Sequence, residues 1–326
     1  MRRLALSLVA LLFLAGPAPA EGFVLRTTTQ MLAQPLAFIF EGQAEVSALL
    51  GAGTDPHTYQ PTRLDVRSMV EANAVTYHGL LFEAQLLDLM QQLEQRLPAL
   101  SAEAYQPADD LLRDGGLPDP HTWHNPVLWI ETVVGLSRAL DEQTDLDLSE
   151  ERVAMLREAA LQTDAWIDAV FADIDPEQRT VVSAHDAFQY YGERYSVRFE
   201  PLLGLSTANE TKLARLNELV DLIEEQNLSA VFSETTVENA GIAALREGAA
   251  RRGLALRALP PLFSDALAPA GEPGSTYFGM LIQNTINMAD AMTGQRPAPP
   301  ATLLDLLGRN GLISPISPTA TEATAQ

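Results

Sequence analysis

Neither glycine nor proline falls between Asp147 and Ile174, and Pro176 is the first helix breaker beyond that stretch. Val153, Leu156, Ala160, Ala165, Trp166, Ala169 and Val170 recur through it at roughly helical spacing, with Asp147 or Ser149 available as N-cap. About 26 helical residues at about 1.5 Å each make a rod about 39 Å long, enough to cross a two-lobed molecule. The spacing predicts one long interlobe helix over 147–175. An ordinary long surface helix is the alternative.

Strands and helices alternate on both sides of that rod. Before it, Phe23 to Thr29 is β-rich, Gln30 to Glu41 helical, and Glu45 to Leu50 a strand running into Gly51-Ala52-Gly53. Thr62 reads as an N-cap, with Asp65 three residues on as in a capping box, and opens a helix to about Ala72. Ala74 to Tyr77 is a short buried strand and Glu83 to Leu97 a helix. After the rod come a strand over Thr180 to Ala184 and helices over Asp186 to Tyr195 and Lys212 to Gln226. A strand over Ala230 to Ser233, a helix over Ala240 to Arg252, a strand over Ala255 to Leu259 and a helix over Tyr277 to Met292 complete the pattern. The alternation predicts an α/β fold of two parallel-sheet lobes with flanking helices, 21–146 and 176–295. Ligands of such sheets bind beyond the carboxyl ends of the strands.

The ends of the chain read differently. Arg2 and Arg3, the apolar run Leu4 to Ala15 and the small-residue site Ala18-Pro19-Ala20 make 1–20 a cleavable signal peptide, too short in its apolar part to span a membrane. With no cysteine there is no lipid-modified N-terminal Cys, disulfide or thiolate ligand. The expectation is an exported, periplasmic, monomeric protein without a lipid anchor. Residues 296–326, rich in Pro, Ala and Thr, are expected to be a disordered tail. A net charge of −22 argues against nucleic acid or an anionic membrane as partner.

Only five histidines occur, and they cluster. Asp55-Pro56-His57 and Asp119-Pro120-His121 repeat one context, and Ala184-His185-Asp186 follows a strand. Proline stiffens the approach to each ligand and lowers the entropy lost on ordering a site. Taken singly, each histidine reads as a capped turn or a satisfied core residue. Together, His57, His121 and His185 point to one divalent metal between the lobes, Zn2+, Mn2+ or another, with a carboxylate completing four ligands. His78 lies at a strand end near that site, and His124 is turned elsewhere. Glu234 could orient an imidazole from behind, or be a solvated carboxylate. Trp123, Tyr190 and Tyr191 read as packing around the cleft.

These segments resemble the metal-binding substrate-binding proteins of bacterial zinc and manganese ABC importers, the TroA/PsaA/ZnuA-like family, and its TroA-like branch most. The resemblance covers about residues 23 to 294 and rests on Asp55 to Thr62, Asp119 to Trp123, Ser183 to Phe188, Ser264-Asp265-Ala266-Leu267 and Gly274 to Met280. It implies two α/β lobes on one long helix and adds Asp265 as fourth ligand to His57, His121 and His185. Ser101 to Leu117 lacks the histidine-rich loop of zinc-dedicated members, and Gln60 and Gly51-Ala52-Gly53 depart from the usual Glu and Pro-containing turn. The implied function is capture of one divalent ion, Zn2+ or Mn2+, for delivery to a membrane ABC permease, without catalysis. Release is expected to go by local loop and ligand movement rather than by wide lobe closure. The rival is a secreted mononuclear metallohydrolase with three His ligands, a metal-bound water and Asp265 as base.

Overall fold

A computed structural model describes residues 22–238 and 240–314. The expected signal peptide and residues 315–326 lie outside the described residues.

In the first half, β1 (Phe23–Thr27), β2 (Ala44–Ala48), β3 (Ala74–Tyr77) and β4 (Ala99–Ser101) form one all-parallel sheet in the order β2-β1-β3-β4. The helices α1 (Gln30–Ile39), α2 (Arg63–Val70) and α3 (Leu87–Leu93) connect them. The capping box at α2 is formed: Asp65 N–H donates to Thr62 Oγ1 at 3.3 Å, and Thr62 N–H donates to the Asp65 carboxylate at 2.7 Å. All four residues of β3 are buried, as a central parallel strand covered on both faces requires. Val75 and Tyr77 face Met69, Leu86 and Met90, while Ala74 joins Leu25, Met31, Leu32 and Leu36 in the main core.

Past β4, a two-residue hairpin of β5 (Arg113–Asp114) and β6 (Leu117–Pro118) turns at Gly115-Gly116, both at positive φ, as such turns require. It runs directly into Asp119-Pro120-His121. Helix α4 (Pro126–Gln143) follows, capped by Asn125 Oδ1 accepting from Leu128 N–H at 3.1 Å.

Helix α5 (Glu150–Ala172) is 23 residues long, about 34 Å at the usual rise. Near its start Arg152 donates to the Phe38 carbonyl at the end of α1, at 3.1 Å. Further along, Asp164 accepts from Tyr195 Oη at 2.9 Å. One contiguous apolar cluster runs from Leu25 and Trp129 through Leu156, Trp166 and Phe171 to Tyr191 and Phe232.

The second half contains β7 (Thr180–Ser183), α6 (Gln189–Tyr195), β8 (Arg198–Pro201), α7 (Leu213–Glu225), α8 (Ala240–Arg251), α9 (Tyr277–Thr293) and α10 (Ala301–Arg309). Strands β7 and β8 pair in parallel. Where strands are expected over 230–233 and 255–259, the chain instead makes single parallel bridges, Ala230 with Arg257 and Glu234 with Leu262. Phe232 N–H donates to the Val182 carbonyl at 2.9 Å, so these segments still extend the sheet beside β7. Pro260 and Pro261 account for the break, because neither has an N–H to carry the ladder across.

The expected disordered tail over 296–326 is corrected in part. Leu303 and Leu307, four residues apart on α10, are buried in the main core, which gives this stretch an apolar stripe to dock. No helix among the described residues is long and apolar enough to cross a membrane. The parallel strands present their carboxyl ends to one edge, where the loops bearing His57, His121, His185 and Asp265 gather.

Candidate metal centre

His57, His121, His185 and Asp265 are all buried, and each offers one ligand atom within 4.8 Å of those of the other three. The imidazoles converge through Nε2. His57 Nε2 is 3.3 Å from His121 Nε2 and 3.7 Å from Asp265 Oδ2. Asp265 Oδ1 is 3.6 Å from His121 Nε2, and Oδ2 is 3.2 Å from His185 Nε2. Ligands of a tetrahedral ion with bonds near 2.0–2.1 Å stand about 3.3 Å apart, so these separations fit a single small cation. His185 Nε2 and Asp265 Oδ1 are buried without a hydrogen-bond partner in the protein. Buried polar atoms normally find partners, and here both are aimed at the same point.

Two of the three rings are held from behind. His121 Nδ1–H donates to Asp119 Oδ1 at 2.7 Å, and the same oxygen accepts His121 N–H at 2.9 Å. His185 Nδ1–H donates to Glu234 Oε2, whose Oε1 accepts from Ala184 N–H at 2.7 Å and His185 N–H at 3.0 Å. A carboxylate on Nδ1 leaves the lone pair on Nε2 and raises its basicity. Among the described residues, no carboxylate holds the His57 ring from behind in this way. That ring stands edge-on to Phe82, with centroids 4.9 Å apart, and the backbone N–H of His57 donates to Asp55 Oδ1 at 2.9 Å.

Burial draws His57 down to about 3; Asp265 pulls the other way, and the neighbouring His121 and His185 add to the lowering. For His185 burial acts the same way, but Asp265 and Glu234 overcome it and hold the imidazole well above its ordinary value. Burial would raise Asp265, yet His185, His121 and His57 keep its carboxyl well below the usual range.

His78 lies outside the cluster. Its Nε2 is 2.7 Å from Thr29 Oγ1 and its ring stacks on Trp129, 5.0 Å apart at 11°, with Phe82 and Trp123 against its other sides. His124 is buried against Phe188, 4.5 Å away between centroids, also outside the four. Trp123 packs on His121 and donates from Nε1 to the Ser264 carbonyl at 2.8 Å, bracing the loop that carries Asp265. Sequence reasoning missed Asp119 as the group behind His121. The available signal was the Asp two residues before the His in both Asp-Pro-His repeats.

Comparison with known proteins decides the family. The model for the periplasmic component A of the zinc-uptake complex, ZnuA, matches residues 26–291. The chain belongs to this family. Among its relatives, the manganese-binding lipoprotein MntA of Bacillus subtilis is 32% identical over 285 residues, 85% of this chain and 92% of that protein. The zinc-binding protein TroA of Treponema pallidum is 30% identical over 279 residues, 84% of this chain and 91% of the relative. A solved structure of the periplasmic zinc-binding TroA superposes with a TM-score of 0.78 at 28% identity, covering 83% of this chain and 99% of that one. The α/β fold with parallel sheets and flanking helices is common to this ZnuA family member and that structure. The metallohydrolase alternative finds no support: the family is one of transport components, and Asp265 stands at ligand spacing from all three imidazoles instead of apart as a base.

Proposed function

We propose that this chain is an exported receptor that takes up one divalent transition-metal ion and delivers it to the membrane permease of an ABC importer. The observation that carries this reading is the convergence of three imidazole Nε2 atoms and one carboxylate, all buried, at tetrahedral spacing. In it His57, His121, His185 and Asp265 are the ligands, Asp119 and Glu234 orient two of them, and His78 packs one layer behind. Relatives named for manganese and for zinc support a metal cargo of this class. Three nitrogens favour Zn2+ over Mn2+ on intrinsic affinity. Four protein ligands fill the coordination sphere and leave no position for a reactive water, so the role is binding without catalysis.

The two halves, 21–146 and 176–295, act as lobes about α5. The apolar cluster that includes Leu156 and Phe171 takes in side chains of both halves, from Leu25 and Trp129 to Tyr191 and Phe232, and wide lobe opening would have to break it. Loop movement at the site is therefore the route of release. The working state is a monomer in the periplasm.

The test is a competition titration of metal-stripped protein with Zn2+ and Mn2+, repeated with His185→Ala and Asp265→Ala. One ion should bind per chain, Zn2+ more tightly, and both substitutions should weaken it. Unchanged affinity in both variants would make the ligand assignment wrong.

A further inference from the structure

We propose that Thr207 is a latch on the metal site. Its hydroxyl donates to Asp55 Oδ2 at 2.6 Å and ties the loop bearing His57 to the second half of the chain, which sets how fast a bound ion leaves. The proposal rests on the metal-binding reading above.

The three imidazoles are not equally secured. Asp119 and Glu234 grip the rings of His121 and His185. Among the described residues, the only carboxylate within ion-pairing distance of the His57 ring is Asp265, on the metal side. The position of His57 therefore depends on its loop, and Asp55 organises that loop. Asp55 Oδ1 accepts His57 N–H at 2.9 Å, and Oδ2 accepts Thr58 Oγ1 at 2.7 Å together with Thr207 Oγ1. One carboxylate thus fixes the backbone at a ligand and reaches a residue 152 positions away.

Asp55 and Asp119 occupy the same place in two identical tripeptides but do different work. Asp119 holds its own imidazole, whereas Asp55 spends its second oxygen on a contact across the cleft. Besides the approach of His57 to Asp265, the loop also meets the second half through its backbone. Gly53, at φ +69°, lies so close to the Thr235 carbonyl that a Cβ there would stand 3.5 Å from the oxygen. Thr235 directly follows Glu234, the group behind His185. Thr207 lies between β8 and α7 and is only partly buried, so water can take its place when the loop lifts. A partly exposed, charge-assisted hydrogen bond suits a fastening that must open during turnover.

The experiment uses Thr207→Val, which keeps the shape and removes the donor, and Thr207→Ser, which keeps the donor. Each protein is loaded with one equivalent of Zn2+ and mixed rapidly with excess chelator. Thr207→Val should release zinc about tenfold faster, the effect of losing one hydrogen bond to a charged acceptor. Its Co2+ absorption spectrum should match wild type, and Thr207→Ser should restore slow release. A Val variant that releases zinc at the wild-type rate, or a Ser variant as fast as Val, overturns the latch while leaving the metal site standing. A wild-type chain that binds no ion through the four residues overturns both.

Discussion

The Asp265 carboxylate faces the His185 imidazole at 3.2 Å, on the ring nitrogen opposite the one that Glu234 holds. Flanked by two carboxylates, the His185 imidazole is held well above its ordinary value, despite a burial that acts against it. An ion bound at Nε2 would displace a proton from this imidazole. Binding near neutral pH should release about one proton per ion, and affinity should fall about tenfold for each pH unit lost below the raised value of His185. Calorimetric titrations in two buffers of different ionisation enthalpy measure that proton directly.

Removing the support behind His185 should weaken binding without removing a ligand. Glu234→Gln leaves an acceptor for the Ala184 and His185 amides but takes away the charge on Nδ1. Affinity should drop roughly 10–100-fold, as for other groups that orient metal-bound histidines. Asp265→Ala should cost more, since a ligand itself is lost. Competition against a calibrated zinc chelator ranks the two.

His78 provides a contrast. Its ring is stacked on Trp129 and bonded to Thr29, so its contribution is to packing. His78→Gln should lower stability by about 1–3 kcal/mol through lost packing and a disturbed hydrogen bond. Stoichiometry should remain one ion per chain. Denaturant unfolding and metal analysis of the same sample check both halves of that statement.

Acid should destabilise the metal-free protein. Burial first, and nearby imidazoles second, hold His57, His78 and His124 near 3, against 6.5 for an unperturbed histidine. A folded value depressed in this way contributes stability that is present above 6.5 and is lost as pH falls toward 3. His185, raised in the folded state, and Glu83, raised to about 7 by burial, take up protons on folding and act the other way. Around pH 5 His57, His78, His124 and His185 are all protonated in the unfolded chain, where the fold holds one of those protons on His185 and one more on Glu83. Unfolding then takes up roughly two protons, so stability should fall steadily between pH 6 and 4. Urea midpoints across that range measure the slope; a flat profile would contradict the burial of these rings.

What could be seen in the sequence follows from what each feature depends on. The repeated Asp-Pro-His tripeptides and the histidine after β7 are local, so the three rings stand out in the sequence alone. Asp265 is one of 43 acidic residues and carries no mark of its own; only resemblance to a family singled it out. Helix α4 does not stand out in the sequence because Val127, Leu128, Trp129 and Ile130 form a continuous apolar run with no period, although Asn125-Pro126 is a cap-and-start signal. The short strands β4 and β8 lack the length for alternation to show. The bond from Thr207 to Asp55 joins residues far apart in the chain, and no sequence pattern announces such a contact.

His57, His121, His185 and Asp265 are proposed to hold one ion in a closed site. X-ray absorption at the zinc edge of the singly loaded protein tests it most directly, with Asp265→Ala alongside. The predicted result is three imidazole nitrogens and one carboxylate oxygen at roughly 2.0–2.2 Å, with one oxygen lost or replaced by water in the variant. A wild-type spectrum with fewer than three imidazoles, or one that Asp265→Ala leaves unchanged, would contradict the account.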